Sequence, residues 1–506
     1  MGSRIKVVRI YSCYADGLAR VPTEIEISLS PGLPTFDVIG LCDSTIRESR
    51  GRIRAALISS GFVMPKGHIT VSISPAYLHK GGSAFDLPTA LGILCVSGQI
   101  STTANMKIYA EGELGLTGEL KGTPGAALRL RETSGFDIAI APSAEKMSAA
   151  CAKFSGMLFD TLADAVDSIN SGSYSPIDHE LSTDDYLTDS NEYPDISCIK
   201  GQSKAMRALL IAAAGRHNIV ILGSPGCGKT MAGQGIRGLM PQLAPKEASE
   251  LYTIYEGIGS SDELITGERP FRYIHPGISL SGLIGSAGSL KPGELSLAHN
   301  GIVFADELCE FKPDILDAMR IPLEKHAVSF AKDGKRYEFP ASFMFVGAGN
   351  PCRCGMFYEN KVRCKCTPLV RDRYLNKISG PFADRIDIFT EMRTISGEDL
   401  KSITSVSDED LSRAYREQVS AAWAMQQERY KNAAGTFNGS SDSTDAELMR
   451  ADKGVIEYAS EIAEKLTSSP RGFGKLIRVG RTIADLDGRA DMRKSDIAEA
   501  SVYRKR

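Results

Sequence analysis

Between residues 1 and 168, short apolar runs of β-leaning residues alternate with longer stretches of helical spacing. The runs include Lys6–Ile10, Glu24–Ile27 and Ile69–Ile73; the helical stretches are Ser44–Ser60 and Phe85–Val96. The alternation predicts an α/β or α+β domain over 1–168. The pattern then breaks. Residues 169–194 read as an acidic linker: from 171 to 194 there are six acidic residues, several Ser and Pro, and no Lys or Arg, a composition too polar to build a core. From 195 to 395 apolar strands return between helices, starting with a helix over Gln202–Ala214 and a strand over Asn218–Leu222. The remainder, 396–506, has helical spacing interrupted at Asn432–Asp445, a loop rich in Asn, Gly, Ser and Asp. No stretch repeats at a fixed period.

A chain of 506 residues has room for several domains at roughly 100–200 residues each. The net charge of -3 gives no overall basic field, so any nucleic-acid contact must come from a local basic patch. No apolar run approaches the ~20 residues that cross a bilayer, and Met1–Cys13 has no long apolar segment of the secretory kind. The expectation is a cytoplasmic protein with no membrane partner. There the 11 cysteines are reduced, and clustered ones read as metal ligands before disulfides.

The strongest chemistry lies in the middle of the chain. The apolar strand Ile219–Leu222 runs into Gly223, Ser224, Pro225, Gly226, Cys227, Gly228, Lys229 and Thr230, then into helical spacing over Met231–Arg237. This is GxxxxGK[ST] in its strand–loop–helix context. Backbone N–H groups of the glycine turn and the helix N-terminus can wrap the phosphates of ATP. Lys229 can reach the β- and γ-phosphates, and the Thr230 hydroxyl can bind Mg2+. The side chain of Cys227 is replaceable, because the backbone does the binding. A second apolar strand, Ile302–Ala305, ends in Asp306 and Glu307. Asp306 is placed to hold Mg2+ and Glu307 to polarise the attacking water. A third, Phe343–Gly347, leads to Asn350, which would orient that water; a turn before Pro351 is the plainer use of the residue.

Two further patterns carry candidate chemistry. Cys352, Cys354, Cys364 and Cys366 form C-x-C, nine residues, C-x-C. Four thiolates on one short loop suit a structural Zn2+, with no position left for a catalytic water. Lys361, Arg363 and Lys365 would offset the negative charge of such a site. Four reduced thiols on a loop are the alternative. His326–Ser342 reads as a hairpin, with Ala327–Phe330 and Tyr337–Phe339 flanking an Asp333-Gly334 turn. Lys332, Lys335 and Arg336 surround that turn, as they would on any solvated hairpin tip.

Longer stretches are not explained by helix or strand patterning. They include Phe36–Leu41, Gly82–Pro88, Arg269–Arg272, Lys291–Gly301, Asn350–Gly355, Ser379–Asp387 and Arg481–Leu486. On these the chain resembles the ComM/YifB family, the magnesium-chelatase-like branch of AAA+ ATPases, over nearly its whole length. The resemblance implies an AAA+ P-loop core of parallel sheet and flanking helices with a helical lid, in a ring, hexameric, with ATP between subunits. Arg385 then looks like the arginine finger and Arg471 like the second sensor arginine, with Arg478 a substitute and Gly201-Gln202 the entry to the adenine pocket. The hairpin would point into the pore, where Lys332, Lys335 and Arg336 meet DNA phosphates. The Gly- and Ser-rich insert Phe271–Pro292 looks like a second pore-facing loop. The implied activity is ATP-dependent DNA translocation, as a branch-migration helicase in recombination and natural transformation. The competing reading is a magnesium-chelatase-type protein remodelling ATPase that does not act on DNA.

Residues 1–125 resemble the ribosomal-S5/Lon-protease-like α+β fold. Lys80–Ala84 matches the nucleophile turn and Gly112–Glu119 a later strand. A peptidase of that kind needs a lysine to deprotonate its serine. The corresponding place, Gly125–Leu128, has none, and Lys121 lies several residues too early. The expected domain therefore lacks the dyad and binds DNA or a partner, or helps the ring assemble.

Overall fold

Two units organise the chain in the computed structural model, which describes all residues except 1–5, 40–43, 76–81, 102–105, 187–193, 260–266, 333, 360–363, 379, 395–408, 432–436, 441–447, 467–468 and 505–506. Lys80, Asp333, Lys361, Arg363 and most of the Asn432–Asp445 loop, all singled out above, lie outside the described residues. The first unit is Met1–Thr188 with two segments from later in the chain, Ala244–Gly267 and Ser289–Lys291. The second is Asp189–Leu243, Glu268–Gly288 and Pro292–Arg506.

In the first unit a mixed sheet runs in the order Ile177–Asp178, Ser155–Phe159, Ile138–Pro142, Ile108–Ala110, Lys6–Asp16, Ala19–Ser30, His68–Ser74, Thr35–Ile39. Alternate residues of the long strands, such as Ile25, Ile27, Val71 and Ile73, are buried, as expected of a sheet packed on one face. Helix Asp86–Ser97 covers that face. It lies so close that a Cβ at Gly92 would sit 2.2 Å from Ile27 Cδ1. The described part of the acidic stretch, 169–186, is more ordered than its composition predicts. Helix Leu162–Ser171 runs into it, Ile177–Asp178 pairs with the sheet, and the Tyr174 hydroxyl donates to Ala139 O at 3.0 Å. One aromatic anchor and a short backbone pairing supply contacts that the average polarity conceals.

The second unit holds a five-stranded sheet in the order Phe271–Ile274, Ile302–Ala305, Met344–Gly349, Ile219–Gly223, Ile388–Met392, every pair parallel. Val303, Phe304, Val220, Ile221, Phe345 and Val346 are fully buried, which explains continuous apolar runs in place of alternation. The strand ending before Asn350 lies between the P-loop strand and the Asp306 strand, so three functional strand ends emerge on one edge. Phe271–Pro292 differs from the expected pore loop at its start: Phe271–Ile274 is an edge strand of this sheet, with Phe271 stacked on Phe304. Helices Glu409–Arg429, Lys453–Lys465, Pro470–Leu486 and Lys494–Val502 follow. They dock through Trp423 Nε1 to Ala213 O at 3.0 Å and Gln426 Nε2 to Ala214 O at 2.8 Å. Among the described residues no helix is long and apolar enough to cross a membrane.

Candidate nucleotide site and cysteine cluster

The loop between strand Ile219–Gly223 and helix Lys229–Gly235 turns on Gly226 at φ 78° and Gly228 at φ 91°. A side chain at either position would be strained. Lys229 Nζ folds back and donates to Gly223 O and Ser224 O, both at 2.8 Å, and to Asn350 Oδ1 at 3.3 Å. Its three partners are neutral oxygens, and burial pulls its pKa down. A phosphate would be a far better partner for this ammonium. The Ser224 Oγ is buried and has no partner among the described residues.

Across from it, Thr230 Oγ1 donates to Asp306 Oδ2 at 2.9 Å. A hydroxyl and a carboxylate so paired are the oxygen donors a Mg2+ ion takes. Glu307 follows at φ 52°, a left-handed conformation that costs on the order of 1 kcal/mol in a non-glycine residue, and such strain collects at functional sites. The Tyr273 hydroxyl also donates to Asp306 Oδ2, at 3.3 Å. The sequence pattern does not expose Tyr273, because its strand lies at the start of a Gly- and Ser-rich segment with the look of a loop.

Arg385 and Arg471 come together, but away from Lys229. Arg385 precedes strand Ile388–Met392, whose Ile388 pairs with Ile219; the P-loop leaves the other end of that pair, beyond Gly223 and Met392. The two sites thus lie a strand length apart, roughly 15 Å at ~3.3 Å per residue. Arg385 Nη2 and Arg471 Nη2 each lie 2.7 Å from Glu324, on Oε2 and Oε1 respectively. They open on a cleft of about 320 Å³ that also takes in Asn218, Lys475 and Arg478. Asp387 beneath it is buried, which alone would raise its pKa. The contact with His217 and the charges of Lys475 and Arg478 overcome this and hold it well below the usual carboxylate range. Glu324 has no motif, and only the fold shows its place.

The four cysteine sulfurs expected to ligate metal do converge. Cys352 Sγ lies 3.4 Å from Cys354 Sγ and 3.8 Å from Cys364 Sγ, the last two are 3.6 Å apart, and all four including Cys366 lie within 4.8 Å of one another. A tetrahedral zinc with ~2.3 Å bonds needs sulfurs about 3.8 Å apart, whereas a disulfide needs ~2 Å. The residues fit the metal. The Met356 amide pulls the Cys354 thiol down to about 6, while burial pushes Cys352 up to about 12. The loop abuts the nucleotide site: a Cβ at Gly355, which has φ 77°, would lie 2.6 Å from Pro225 Cδ.

Comparison with known proteins shows the family. The family described as "Magnesium chelatase, subunit ChlI" matches residues 195–400, "Subunit ChlI of Mg-chelatase" matches 25–145, and "Magnesium chelatase, subunit ChlI C-terminal" matches 409–504. The chain is 34% identical over 499 residues to the competence protein ComM of Haemophilus influenzae, covering 98% of this chain and 97% of that protein. It is 34% identical to YifB of Escherichia coli, covering 98% and 96%. It belongs to the ComM/YifB family of magnesium-chelatase-like AAA+ proteins. A more distant match is the magnesium-chelatase 38 kDa subunit of Rhodobacter capsulatus, 25% identical over 31% of this chain and 49% of that one.

In this ComM/YifB chain the hairpin forms with the expected register, Lys332 opposite Lys335, between strands Ala327–Lys332 and Lys335–Pro340. Lys335 and Arg336 are exposed and Lys332 half-buried; Arg336 pairs with Glu338 at 2.8 Å. Gln202 bonds the Arg393 backbone, with Oε1 accepting from its N–H at 3.3 Å. Arg481 is fully buried, donating to Ala490 O at 2.8 Å and Arg489 O at 2.7 Å. It holds the last helices together.

Proposed function

We infer that the chain is an ATP-hydrolysing ring motor acting on DNA, a ComM-like branch-migration helicase. The observation that carries this is the split between Lys229, Thr230, Asp306, Glu307 and Asn350 on one edge of the sheet and Arg385 with Arg471 on the other. A protomer whose arginines lie a strand length from its own P-loop needs a second copy to complete the site, as a closed ring provides. Gly223–Thr230 would seat the triphosphate, with Lys229 trading its carbonyl partners for phosphate oxygens. Mg2+, when bound, supplies charge neutralisation at the β- and γ-phosphates. Thr230 and Asp306 would hold that ion, Glu307 would hold the attacking water, and Asn350 would fix its line of approach. Arg385 and Arg471 of the adjacent copy would meet the charge that builds on the phosphate. The cysteine cluster would hold Zn2+ as a brace behind Pro225.

The basic hairpin offers phosphate contacts without base readout, and a competence protein stands among the relatives. Such a hairpin and a ring suit movement along single-stranded or branched DNA. The first unit, which resembles the Lon-like fold, serves binding or assembly: its Ser83 hydroxyl bonds the Glu113 carboxylate, which gives it no lysine base there.

The test is ATP turnover with and without forked DNA. Stimulation by the fork is expected, and Glu307→Gln should bind ATP with turnover lowered on the order of 100-fold or more. Alanine at Lys332, Lys335 and Arg336 together should flatten the salt dependence of DNA binding. Brisk turnover indifferent to DNA would favour the chelatase-type remodelling ATPase.

A further inference from the structure

We propose that Glu324 is a positioning residue that presents Arg385 and Arg471 as one preformed pair to the triphosphate of the neighbouring copy. The proposal rests on the shared-site reading above and adds the residue that builds the shared half. Glu324 gives one carboxylate oxygen to each arginine, at 2.7 Å in both cases. Two guanidiniums held on one carboxylate sit side by side, where they would otherwise repel. Arg385 is anchored further by donation from Nη1 to Pro381 O at 2.6 Å, and its side chain is only 12% exposed. Its Nε is buried with no partner among the described residues, a donor left for a ligand.

Arg471 makes the need for Glu324 plainer. It occupies the first turn of the 17-residue helix Pro470–Leu486, where the helix end is positive and a cation is disfavoured. No capping preference would put an arginine there. The Glu324 carboxylate offsets that charge, and its own pKa is lowered, first by the bond from Arg385. The three residues come from distant parts of the chain, 61 and 147 positions apart. They meet at the mouth of the 320 Å³ cleft. Geometry fixed before the anion arrives lowers the cost of ordering two long side chains during turnover.

Steady-state kinetics of the full chain test this. Glu324→Ala should lower kcat about tenfold with KM for ATP nearly unchanged, because the Lys229 side of the site is untouched. Adding Glu324→Ala to Arg385→Ala should cost less than the sum of the two single losses, and adding it to the Arg385→Ala, Arg471→Ala double variant should cost nothing further. Glu324→Gln, with one acceptor oxygen in place of two, should fall between wild type and Glu324→Ala. A mixture of Glu324→Ala and Glu307→Gln subunits should turn over ATP faster than either alone, since each supplies the half the other lacks; a folding defect would not be rescued this way. Wild-type kcat in Glu324→Ala, additive losses, or no rescue on mixing would overturn the proposal. Wild-type kcat in Arg385→Ala would instead defeat the shared-site reading beneath it.

Discussion

Each unit buries an ionic cluster in its core, and the two have opposite charge balance. In the first, Glu111, Glu145 and Glu256 share a single arginine, Arg129, which bonds Glu111. Glu256 is otherwise satisfied by the amides of Ala126 and Ala127, at 2.9 and 2.8 Å. Burial dominates, pushing Glu111 and Glu256 up to about 7. Ser148 Oγ lies 2.7 Å from Glu145 and 2.9 Å from Glu256. A hydroxyl has one proton to give, so one of those contacts requires a proton on a carboxyl. In the second unit a lone buried carboxylate, Asp387, faces Lys475, Arg478 and His217. There the carboxyl stays charged and a cation yields: burial pushes Lys475 down to about 7. A surplus of like charge in a dry interior is relieved by whichever group can neutralise itself.

The harshest way to break the comparison is to remove the minority partner in each cluster. Arg129→Met strands three carboxylates, and the first unit should lose about 3–5 kcal/mol. Asp387→Asn should cost the second unit less, about 2–3 kcal/mol, because Lys475 keeps the Ile386 carbonyl at 2.8 Å. Hydrogen exchange, read separately on peptides of each unit, measures both. Equal losses, or a larger loss in the second unit, would contradict the assigned charge balance.

A gentler probe is pH. For the first unit, Glu111 and Glu256 rise from 4.5 unfolded to about 7 folded, so the folded state binds more protons between those values. Its stability should fall as pH climbs from about 5 to 7.5, by on the order of 3 kcal/mol per carboxylate titrated. In the second unit Asp387 is charged throughout this range and contributes no slope. Lys475 falls from 10.5 to about 7, so the unfolded state binds more protons above 7, and stability should rise with pH from there. A falling slope for the first unit from about pH 5 to 7.5 and a rising slope for the second above about 7, in exchange data corrected for the intrinsic pH dependence, are the expected result. Parallel slopes would mean that the two clusters do not govern their units.

What the sequence made legible follows the same division between local and distant. The P-loop, Asp306–Glu307, Asn350, the cysteine cluster and the hairpin register each depend on neighbours within a dozen or so residues, and turn chemistry or ligand spacing exposes them. Glu324, Tyr273 and Glu256 do not. Glu256 sits on helix Pro245–Glu256, which follows the P-loop helix in sequence yet belongs to the first unit. Its buried apolar positions look like those of any core helix, and nothing in their spacing says which core. The 169–194 stretch misleads for the complementary reason: average polarity says linker, while the Tyr174 hydroxyl and the backbone pairing at Ile177–Asp178 tie its first half to the sheet.

The finest probe takes one charge from the surplus without changing shape. Glu256→Gln removes the charge and keeps an oxygen for one of the two amides, which in the wild type bond separate oxygens, Ala126 N–H on Oε1 and Ala127 N–H on Oε2. At pH 5, well below the folded value of about 7, the wild-type carboxyl is already neutral, so the variant should trail it only by the one amide bond it gives up, about 1 kcal/mol. At pH 8 the variant avoids the cost of a buried anion, and the first unit should gain about 1–2 kcal/mol. The neighbouring Glu111 should then release its proton more easily, since one repelling charge is gone. The gain must vanish on acidification: a stabilisation of equal size at pH 5 and pH 8 would point to packing instead of charge, and a loss at pH 8 would show that Glu256 is needed as an anion to hold the Ala126–Arg129 turn.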